Sequence, residues 1–291
     1  MQDAFGTVIT AMVTPFTADG ALDTEGLATL ASHLVDSGND GLVINGTTGE
    51  APTTSDEEKV CALQVVLEAV GNRAKVIAGV GTNDTAHTVE LAQQAAAAGA
   101  HALLIVTPYY NKPPQAGLLQ HFRTAADATD LPVMLYDIPG RSAAEIATPT
   151  LIELAEHPRI LAVKDAKGDL AASSRVLSAT DLLYYSGDDA MNLPLMSVGG
   201  TGFVSVVGHF VAPELVAMRK AFIAGDLEAA QLLHYQSLAV TDAVFVTQAA
   251  MTVKAVLARQ GLPGGPVRAP LVAATDEQVA GVLTALEAIS G

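Results

Sequence analysis

The sequence predicts a (β/α)₈ barrel followed by a helical extension at the C-terminus. Short apolar runs alternate with longer segments of helical periodicity through the first 224 of the 291 residues. This alternation is typical of parallel strands joined by helices. Eight such units favour a closed barrel over a doubly wound sheet, which more often has about five or six strands. We therefore divide the chain into a barrel at residues 1–224 and an extension at residues 225–291.

The predicted strands are short, apolar runs, as expected for parallel strands covered on both faces. They comprise residues 7–13, 41–45, 76–78, 102–107, 133–137, 161–164, 183–186 and 202–206. The predicted helices comprise residues 23–37, 55–70, 85–98, 115–130, 148–156, 170–179, 190–198 and 213–224. Ser55 and Glu58 have the spacing of a capping box at the start of the second helix.

The extension lacks the strand pattern. Residues 226–260 are predicted to form one or two helices, and residues 261–270 are a Gly/Pro-rich break. Residues 275–290 are predicted to form a final helix. Because no strand separates these helices, we expect an appendage that packs on the barrel.

Composition excludes several classes of partner. The net charge is −16, from 31 acidic and 15 basic residues, which disfavours binding to nucleic acid or to an anionic membrane surface. No apolar run reaches the roughly 18 residues of a membrane span. The single cysteine, Cys61, cannot form an intrachain disulfide, and the first basic residue is Lys59. A cytoplasmic protein is therefore expected.

Lys164 is the most informative reactive residue. It ends the apolar run Leu161-Ala162-Val163-Lys164, where alternation places Ala162 and Lys164 on one face. Active sites of such barrels lie at the carboxyl ends of the strands. Burial there would lower the pKa of the amine and make it a nucleophile for imine formation. The alternative is a strand-end lysine whose ammonium reaches solvent, and position alone leaves both interpretations open.

Other strand ends also carry polar groups. The string GTTGE at residues 46–50 follows the second strand and could offer hydroxyls and N–H groups to a carboxylate, or form an ordinary turn. Tyr109 and Tyr110 follow the fourth strand, where proton relay is possible but packing is the favoured interpretation. Tyr136 ends the fifth strand, with Arg141 five residues later as a possible carboxylate clamp or a solvated loop residue.

Several common sites are disfavoured. The seven histidines form neither HxH nor HExxH, and the pair Asp188-Asp189 has no third ligand nearby in sequence. We interpret that pair as helix capping or as a loop against the pocket wall. The glycines at 79 and 81 are not followed by the third glycine of a dinucleotide site. No GxSxG elbow is present. The sequence thus predicts no metal and no organic cofactor.

Six ordered motifs together resemble the dihydrodipicolinate synthase family, within the wider group of pyruvate-dependent Schiff-base aldolases and lyases. The motifs are GTTGE at 46–50, TPYYNKP at 107–113, YDIPGR at 136–141, VKDAKGDL at 163–170, SGDDA at 186–190 and GGTGFVSV at 199–206. The resemblance runs from about Gly6 to the C-terminus. It implies condensation of pyruvate with L-aspartate-4-semialdehyde in lysine and diaminopimelate biosynthesis, by a cytoplasmic homotetramer built from two dimers.

The resemblance also implies roles for single residues. Lys164 matches the imine-forming lysine, Tyr136 matches the proton donor beside it, and Thr47 and Tyr110 match the rest of the relay, with Tyr110 reaching in from a neighbouring subunit. Thr48 matches the residue that holds the pyruvate carboxylate, and Arg141 matches the clamp for the aldehyde substrate. The remaining two matches line the pocket: Gly187, and Val204 through its backbone carbonyl.

Two departures from the family pattern stand out. Asp137 replaces the more usual asparagine and is expected to add charge near the barrel mouth. At positions matching the family's lysine-inhibition site the chain has Asp56, Lys59 and His87, where a carboxylate partner for a bound ammonium is lost at His87. We therefore predict weak or absent inhibition by lysine.

Two other functions stay open from sequence. The nearer is a sister enzyme such as N-acetylneuraminate lyase or a 2-keto-3-deoxy sugar-acid aldolase; the pair Thr47-Thr48 and Arg141 favour the synthase over it. The other is a non-catalytic barrel that binds a carboxylate, which predicts pyruvate binding without a covalent imine.

Overall fold

Eight parallel strands close a barrel in the order of the sequence, as predicted. The computed structural model describes residues 4–290. Strand β1 pairs with both β2 and β8, which closes the sheet and leaves no free edge. The strands are β1 Val8–Ala11, β2 Gly41–Ile44, β3 Lys75–Gly79, β4 Ala102–Val106, β5 Val133–Asp137, β6 Ile160–Asp165, β7 Leu183–Ser186 and β8 Gly202–Ser205.

Helices surround the barrel and form the C-terminal extension. The barrel helices are α1 Thr24–Asp36, α2 Asp56–Val70, α3 Thr85–Ala97, α4 Gln115–Asp127, α5 Pro139–Ser142, α6 Thr148–Leu154, α7 Leu170–Ala179, α8 Asn192–Met196 and α9 Gly208–Ile223. The extension comprises α10 Leu227–Val244, α11 Ala249–Arg259 and α12 Asp276–Ser290. The capping box predicted at Ser55 is present, with Glu58 returning a hydrogen bond to the Ser55 backbone.

Two local predictions were wrong, and one short helix was missed. The helix predicted from residue 213 begins at Gly208, because a first segment precedes a kink at Val211 (φ −122°) and Pro213 lies just after that kink. The helix predicted at 190–198 is a 3₁₀ turn, Asp189–Met191, followed by the short α8. The short α5 after Tyr136 was not predicted, since four residues are too few to show helical periodicity.

The core has two parts, one inside the barrel and one between strands and helices. Both are mainly aliphatic, yet the largest fully buried side chains include Tyr184, Tyr185 and Phe203. The inner core contains Ala162 and Tyr136, so the side chains that alternate inward on β5 and β6 face the barrel interior.

The extension packs against α8, α9 and the 3₁₀ turn through α10, while α12 packs on α10 and α11. The division of the chain at residue 224 stays a prediction. Across residues 4–290 no single helix is both long and apolar enough to span a bilayer; α10 and α11 meet those criteria only as a pair bent by 103°.

Candidate active site

The carboxyl ends of the strands bring most of the predicted site residues together at one face of the barrel. Tyr136 and Lys164 are direct neighbours in the register of β5 and β6. The GTTGE loop follows β2, and Arg141 lies on α5, immediately after β5. Residues separated by more than one hundred positions therefore surround a single space.

Lys164 is buried, with 5% of its surface exposed. Its Nζ lies 4.1 Å from the centroid of the Tyr136 ring. On the other side, the stem of Lys164 packs against Gly187, where an added Cβ would lie 2.8 Å from Lys164 Cγ. Position 187 therefore requires glycine for the lysine to adopt this conformation. The alternative of a lysine that reaches solvent is wrong.

The pKa of Lys164 falls to about 7, because burial disfavours the ammonium. The nearby Arg141 guanidinium lowers this pKa further, while the Asp189 carboxylate opposes the shift. A substantial fraction of the amine is thus neutral at physiological pH. A neutral primary amine at a strand end is what nucleophilic attack on a ketone requires.

Tyr136 has the opposite shift, because burial raises its pKa to about 12. Arg141 and Thr47 both act to lower this pKa, but burial outweighs them. Tyr136 therefore keeps its proton at neutral pH. Its backbone carbonyl accepts hydrogen bonds from the N–H and the hydroxyl of Thr107, at 2.9 and 3.0 Å, which fix the end of β5.

A cavity of about 420 Å³ opens beside these residues. Thr47, Tyr109, Tyr136 and Arg141 all line it. Within residues 4–290 the Arg141 guanidinium forms no ion pair. An unpaired guanidinium at the wall of a cavity of this size is suited to bind the carboxylate of a small organic acid.

Five predicted residues are not part of the cavity lining: Lys164, Thr48, Gly187, Val204 and Tyr110. Thr48 is buried, and Val204 is buried inside the barrel on β8. Tyr110 points away from the cavity of its own chain: its side chain is 89% exposed, and its backbone has a φ of +74°.

Asp189 has a role that the sequence did not reveal. Its buried carboxylate accepts hydrogen bonds from the hydroxyl of Ser205 and from the backbone N–H groups of Val206 and Val207. Burial raises its pKa, and these hydrogen bonds oppose that shift. Asp188, by contrast, caps the following turn through Ala190, as one of the two interpretations predicted. Asp189 therefore ties the end of β8 to the loop after β7 and places a carboxylate near Lys164.

Asp137 does not add charge at the barrel mouth. Adjacent to Tyr136 but facing the other side of β5, it is 1% exposed and accepts a hydrogen bond from the Ile146 N–H. The ammonium of Lys167 lies 3.4 Å from its second oxygen. Burial raises the pKa of Asp137 to about 6, although Lys167 lowers it. Lys167 is thus engaged with Asp137, behind the site.

Asp56, Lys59 and His87 line the far end of the same cavity. His87 Nε2 lies 2.9 Å from one oxygen of Asp56, and Lys59 Nζ lies 3.6 Å from the other. The hydrogen bond from His87 is the main cause that lowers the pKa of Asp56. The one carboxylate of this group is therefore already engaged by two basic side chains.

No group of three or more His, Cys, Asp or Glu side chains in residues 4–290 is arranged to hold a metal ion. The two acidic residues of the SGDDA motif face different partners, as described above.

Comparison with known proteins identifies close relatives. A model of the dihydrodipicolinate synthetase family matches residues 4–289. A curated relative, 4-hydroxy-tetrahydrodipicolinate synthase 2 of Streptomyces coelicolor, is 62% identical over 277 residues, which cover 95% of this chain and 93% of that protein.

Solved structures show the same fold. Dihydrodipicolinate synthase from Cyanidioschyzon merolae with lysine bound superposes with a TM-score of 0.96 at 42% identity, covering 99% of each chain. The chloride-inhibited dihydrodipicolinate synthase from Acinetobacter baumannii complexed with pyruvate has a TM-score of 0.93 at 34% identity, covering 97% of each chain.

Proposed function

The chain belongs to the dihydrodipicolinate synthetase family, and we infer that its activity is that of a 4-hydroxy-tetrahydrodipicolinate synthase, a lyase of lysine and diaminopimelate biosynthesis. Curated relatives that are 52–63% identical over most of the chain have this activity in their names. The substrates are pyruvate and L-aspartate-4-semialdehyde. The observation that supports the chemistry best is the buried Lys164, with its pKa near 7, against Tyr136.

The first half of the reaction forms a pyruvate imine. The neutral amine of Lys164 attacks the ketone carbon of pyruvate, and the Tyr136 phenol supplies the proton that allows the carbinolamine to lose water. The hydroxyl and N–H groups of the loop at Thr47 and Thr48 hold the pyruvate carboxylate. The iminium nitrogen then withdraws electrons, so that loss of a methyl proton gives an enamine.

The second half forms the new carbon–carbon bond. The enamine carbon attacks the aldehyde carbon of the semialdehyde, whose carboxylate pairs with Arg141. The amino group of this substrate then attacks the imine carbon, closes the ring and releases Lys164 as a free amine. Thr47, Tyr136 and a Tyr110 from a neighbouring chain pass the protons between these steps, while Gly187 and Val204 shape the pyruvate pocket.

The assembly and location are part of the same proposal. A relay that includes Tyr110 requires at least a dimer, and we propose a homotetramer of two dimers. The single cysteine suits the reducing conditions of the cytoplasm.

Borohydride trapping tests the imine. Incubation with pyruvate and borohydride should add a pyruvyl-derived mass to the peptide that contains Lys164, and Lys164→Ala should remove the adduct without unfolding the protein. An adduct on Lys167, or none at all, would contradict the assignment. Pyruvate binding without trapping would instead support the non-catalytic alternative.

The second substrate is tested by exchanging the aldehyde. Turnover of pyruvate with aspartate semialdehyde, but not with N-acetylmannosamine or glyceraldehyde, is expected. Arg141→Met should raise the KM for the semialdehyde by at least about tenfold, because a bound carboxylate loses its partner. Trapping of pyruvate alone should persist in this variant. An unchanged KM would remove Arg141 from the site.

A further inference from the structure

A buried ion pair includes Glu50, the last residue of the GTTGE loop. The Nζ of Lys254, on α11, donates a hydrogen bond to Oε1 of Glu50 at 2.6 Å, and both side chains are 1% exposed. Oε2 of Glu50 accepts a hydrogen bond from the backbone N–H of Arg268 at 2.8 Å. Both oxygens of this carboxylate are therefore held by the C-terminal part of the chain.

Phe16, in the loop after β1, completes the arrangement. Lys254 Nζ lies 4.1 Å and Arg268 Cζ lies 4.0 Å from the centroid of its ring. Gly265 passes so close to Phe16 that an added Cβ would lie 1.9 Å from the Phe16 carbonyl oxygen. We call Phe16, Glu50, Lys254 and Arg268 the Glu50 cluster. It joins two catalytic-face loops of the barrel to the C-terminal extension.

Glu50 is the last residue of the predicted pyruvate loop. Its N–H donates a hydrogen bond to the Thr47 carbonyl at 3.1 Å, and its φ is +57°. The left-handed conformation is unfavourable for a residue with a side chain, so surrounding contacts must impose it. The hydroxyl of Thr14 donates to the Gly49 carbonyl at 2.7 Å and supports the same turn. These contacts therefore fix the backbone conformation of the loop that contains Thr47 and Thr48.

The contribution of the Glu50–Lys254 ion pair to folding stability does not by itself explain its presence. Two buried charges lose their hydration, and a well-packed neutral pair is often as stable as the ion pair that it replaces. What the ion pair supplies is a fixed direction: each Glu50 oxygen accepts a hydrogen bond from a different donor.

We propose that Glu50 and Lys254 are positioning residues for pyruvate, through which the C-terminal extension holds Thr47 and Thr48 in place. The inference rests on the proposed function, because it assigns a task to the loop that binds the pyruvate carboxylate. It gives the extension, through Lys254, a part in the geometry of the site. Lys254 lies 204 positions after Glu50 in the sequence.

The principal test is the double variant Glu50→Gln/Lys254→Met, which removes both charges and leaves none of the pair buried alone. Arg259→Met is the matched control, since Arg259 lies on the same helix, is 60% exposed and pairs only with the exposed Asp276. The double variant should lower kcat/KM for pyruvate at least about tenfold and slow borohydride trapping. The KM for the semialdehyde, which depends on Arg141, should stay within about twofold.

The outcomes separate the hypotheses. If wild-type protein is not trapped by borohydride, the proposed function fails. If wild-type protein is trapped and a folded double variant has wild-type kinetics with only a lower melting temperature, the Glu50 cluster is purely structural and this inference is overturned.

If the double variant does not fold, hydrogen exchange of the wild-type protein tests the proposal instead. Pyruvate should then increase amide protection in residues 264–268 as well as in residues 46–54. Protection confined to the loop would overturn the proposal.

Discussion

At the scale of single residues, Lys164 shows how burial changes the meaning of a side chain. Its place at the end of an apolar run is compatible with either a nucleophile or a solvated ammonium. The decision comes from the 5% exposure, the contact with Tyr136 and the glycine at position 187. Desolvation then converts an ordinary ammonium into an amine with a pKa near 7.

The rate of imine formation should follow the titration of Lys164. Below a pH of about 7 the amine is protonated and unreactive, so the trapping rate should rise with pH to a plateau above that value. Rapid-quench measurements with pyruvate and borohydride from pH 5.5 to 9.5 would give the midpoint. Arg141→Met should move this midpoint upward, because the guanidinium lowers the pKa of Lys164. A midpoint near the unperturbed 10.5 would contradict the assignment.

At the scale of elements, the loops after the strands contain both the predicted site residues and the residues with a strained backbone. Within the part of the chain that the structure describes, five residues other than glycine have a positive φ: Asn45, Glu50, Tyr110, Lys112 and Ala143. All lie after β2, β4 or β5, and the loops that contain them also carry Thr47, Tyr110 and Arg141. Such conformations persist where surrounding contacts impose them, as the Glu50 cluster does for Glu50.

Strand β5 also provides a test of stability against pH. The folded-state pKa of Asp137 is raised from 3.8 to about 6, so its contribution to stability is fully present below 3.8 and is lost as pH rises through about 6. The Asp137→Asn variant should not lose stability in this way, because the asparagine side chain does not ionise. The free energy of unfolding of the variant should thus gain on wild type by up to about 3 kcal/mol between pH 4 and 7; the pKa of about 6 already includes the effect of Lys167. Urea denaturation at several pH values would measure the difference.

Asp130→Asn is the control for this experiment, since Asp130 pairs with Arg159 at the surface and is 97% exposed. It should follow the wild-type pH dependence. A parallel pH dependence of wild type and Asp137→Asn would contradict this prediction, because it would show that Asp137 ionises in the folded protein without a loss of stability.

At the scale of the whole molecule, the proposed proton relay extends beyond one chain. Tyr110 is almost fully exposed and does not line the cavity of its own chain. The same cavity that holds Tyr136 and Arg141 extends to Asp56, Lys59 and His87. We therefore expect that the assembly of chains and inhibition by a ligand both depend on residues outside the barrel core.

Mixing two inactive variants tests the shared relay. Lys164→Ala lacks the nucleophile, and Tyr110→Phe should reduce activity strongly because the neighbouring site loses a relay hydroxyl. In each mixed dimer one site would have both Lys164 and a Tyr110 from the other chain. Random exchange of subunits should therefore restore about a quarter of wild-type activity. No recovery after verified subunit exchange would mean that Tyr110 acts in its own chain or not at all.

Inhibition by lysine should be weak or absent. Asp56 is already engaged by His87 and Lys59, so the far end of the cavity offers no free carboxylate to an added ammonium. Steady-state rates with L-lysine into the millimolar range should change little. Strong inhibition at low millimolar lysine would refute the prediction, and His87→Glu, which restores a carboxylate, should increase sensitivity.

The sequence by itself determined the barrel and the order of its strands, because apolar runs and helical periodicity are local signals. The ordered motifs at the strand ends and their resemblance to a known family led to the prediction of Lys164, Tyr136, Thr47 and Arg141 as site residues, and their roles stay predictions. The kink at Val211 and the short helix after Tyr136 were missed because their signals are too brief.

Only the tertiary structure decided the rest. It showed that Lys164 is buried, that Asp137 faces away from the barrel mouth and that Asp189 reaches back to β8. It also paired Glu50 with Lys254 across 204 positions. These outcomes depend on which groups lose water and which distant donors replace it. Burial and long-range hydrogen bonding are properties of the packed chain, and no local pattern of residues specifies them.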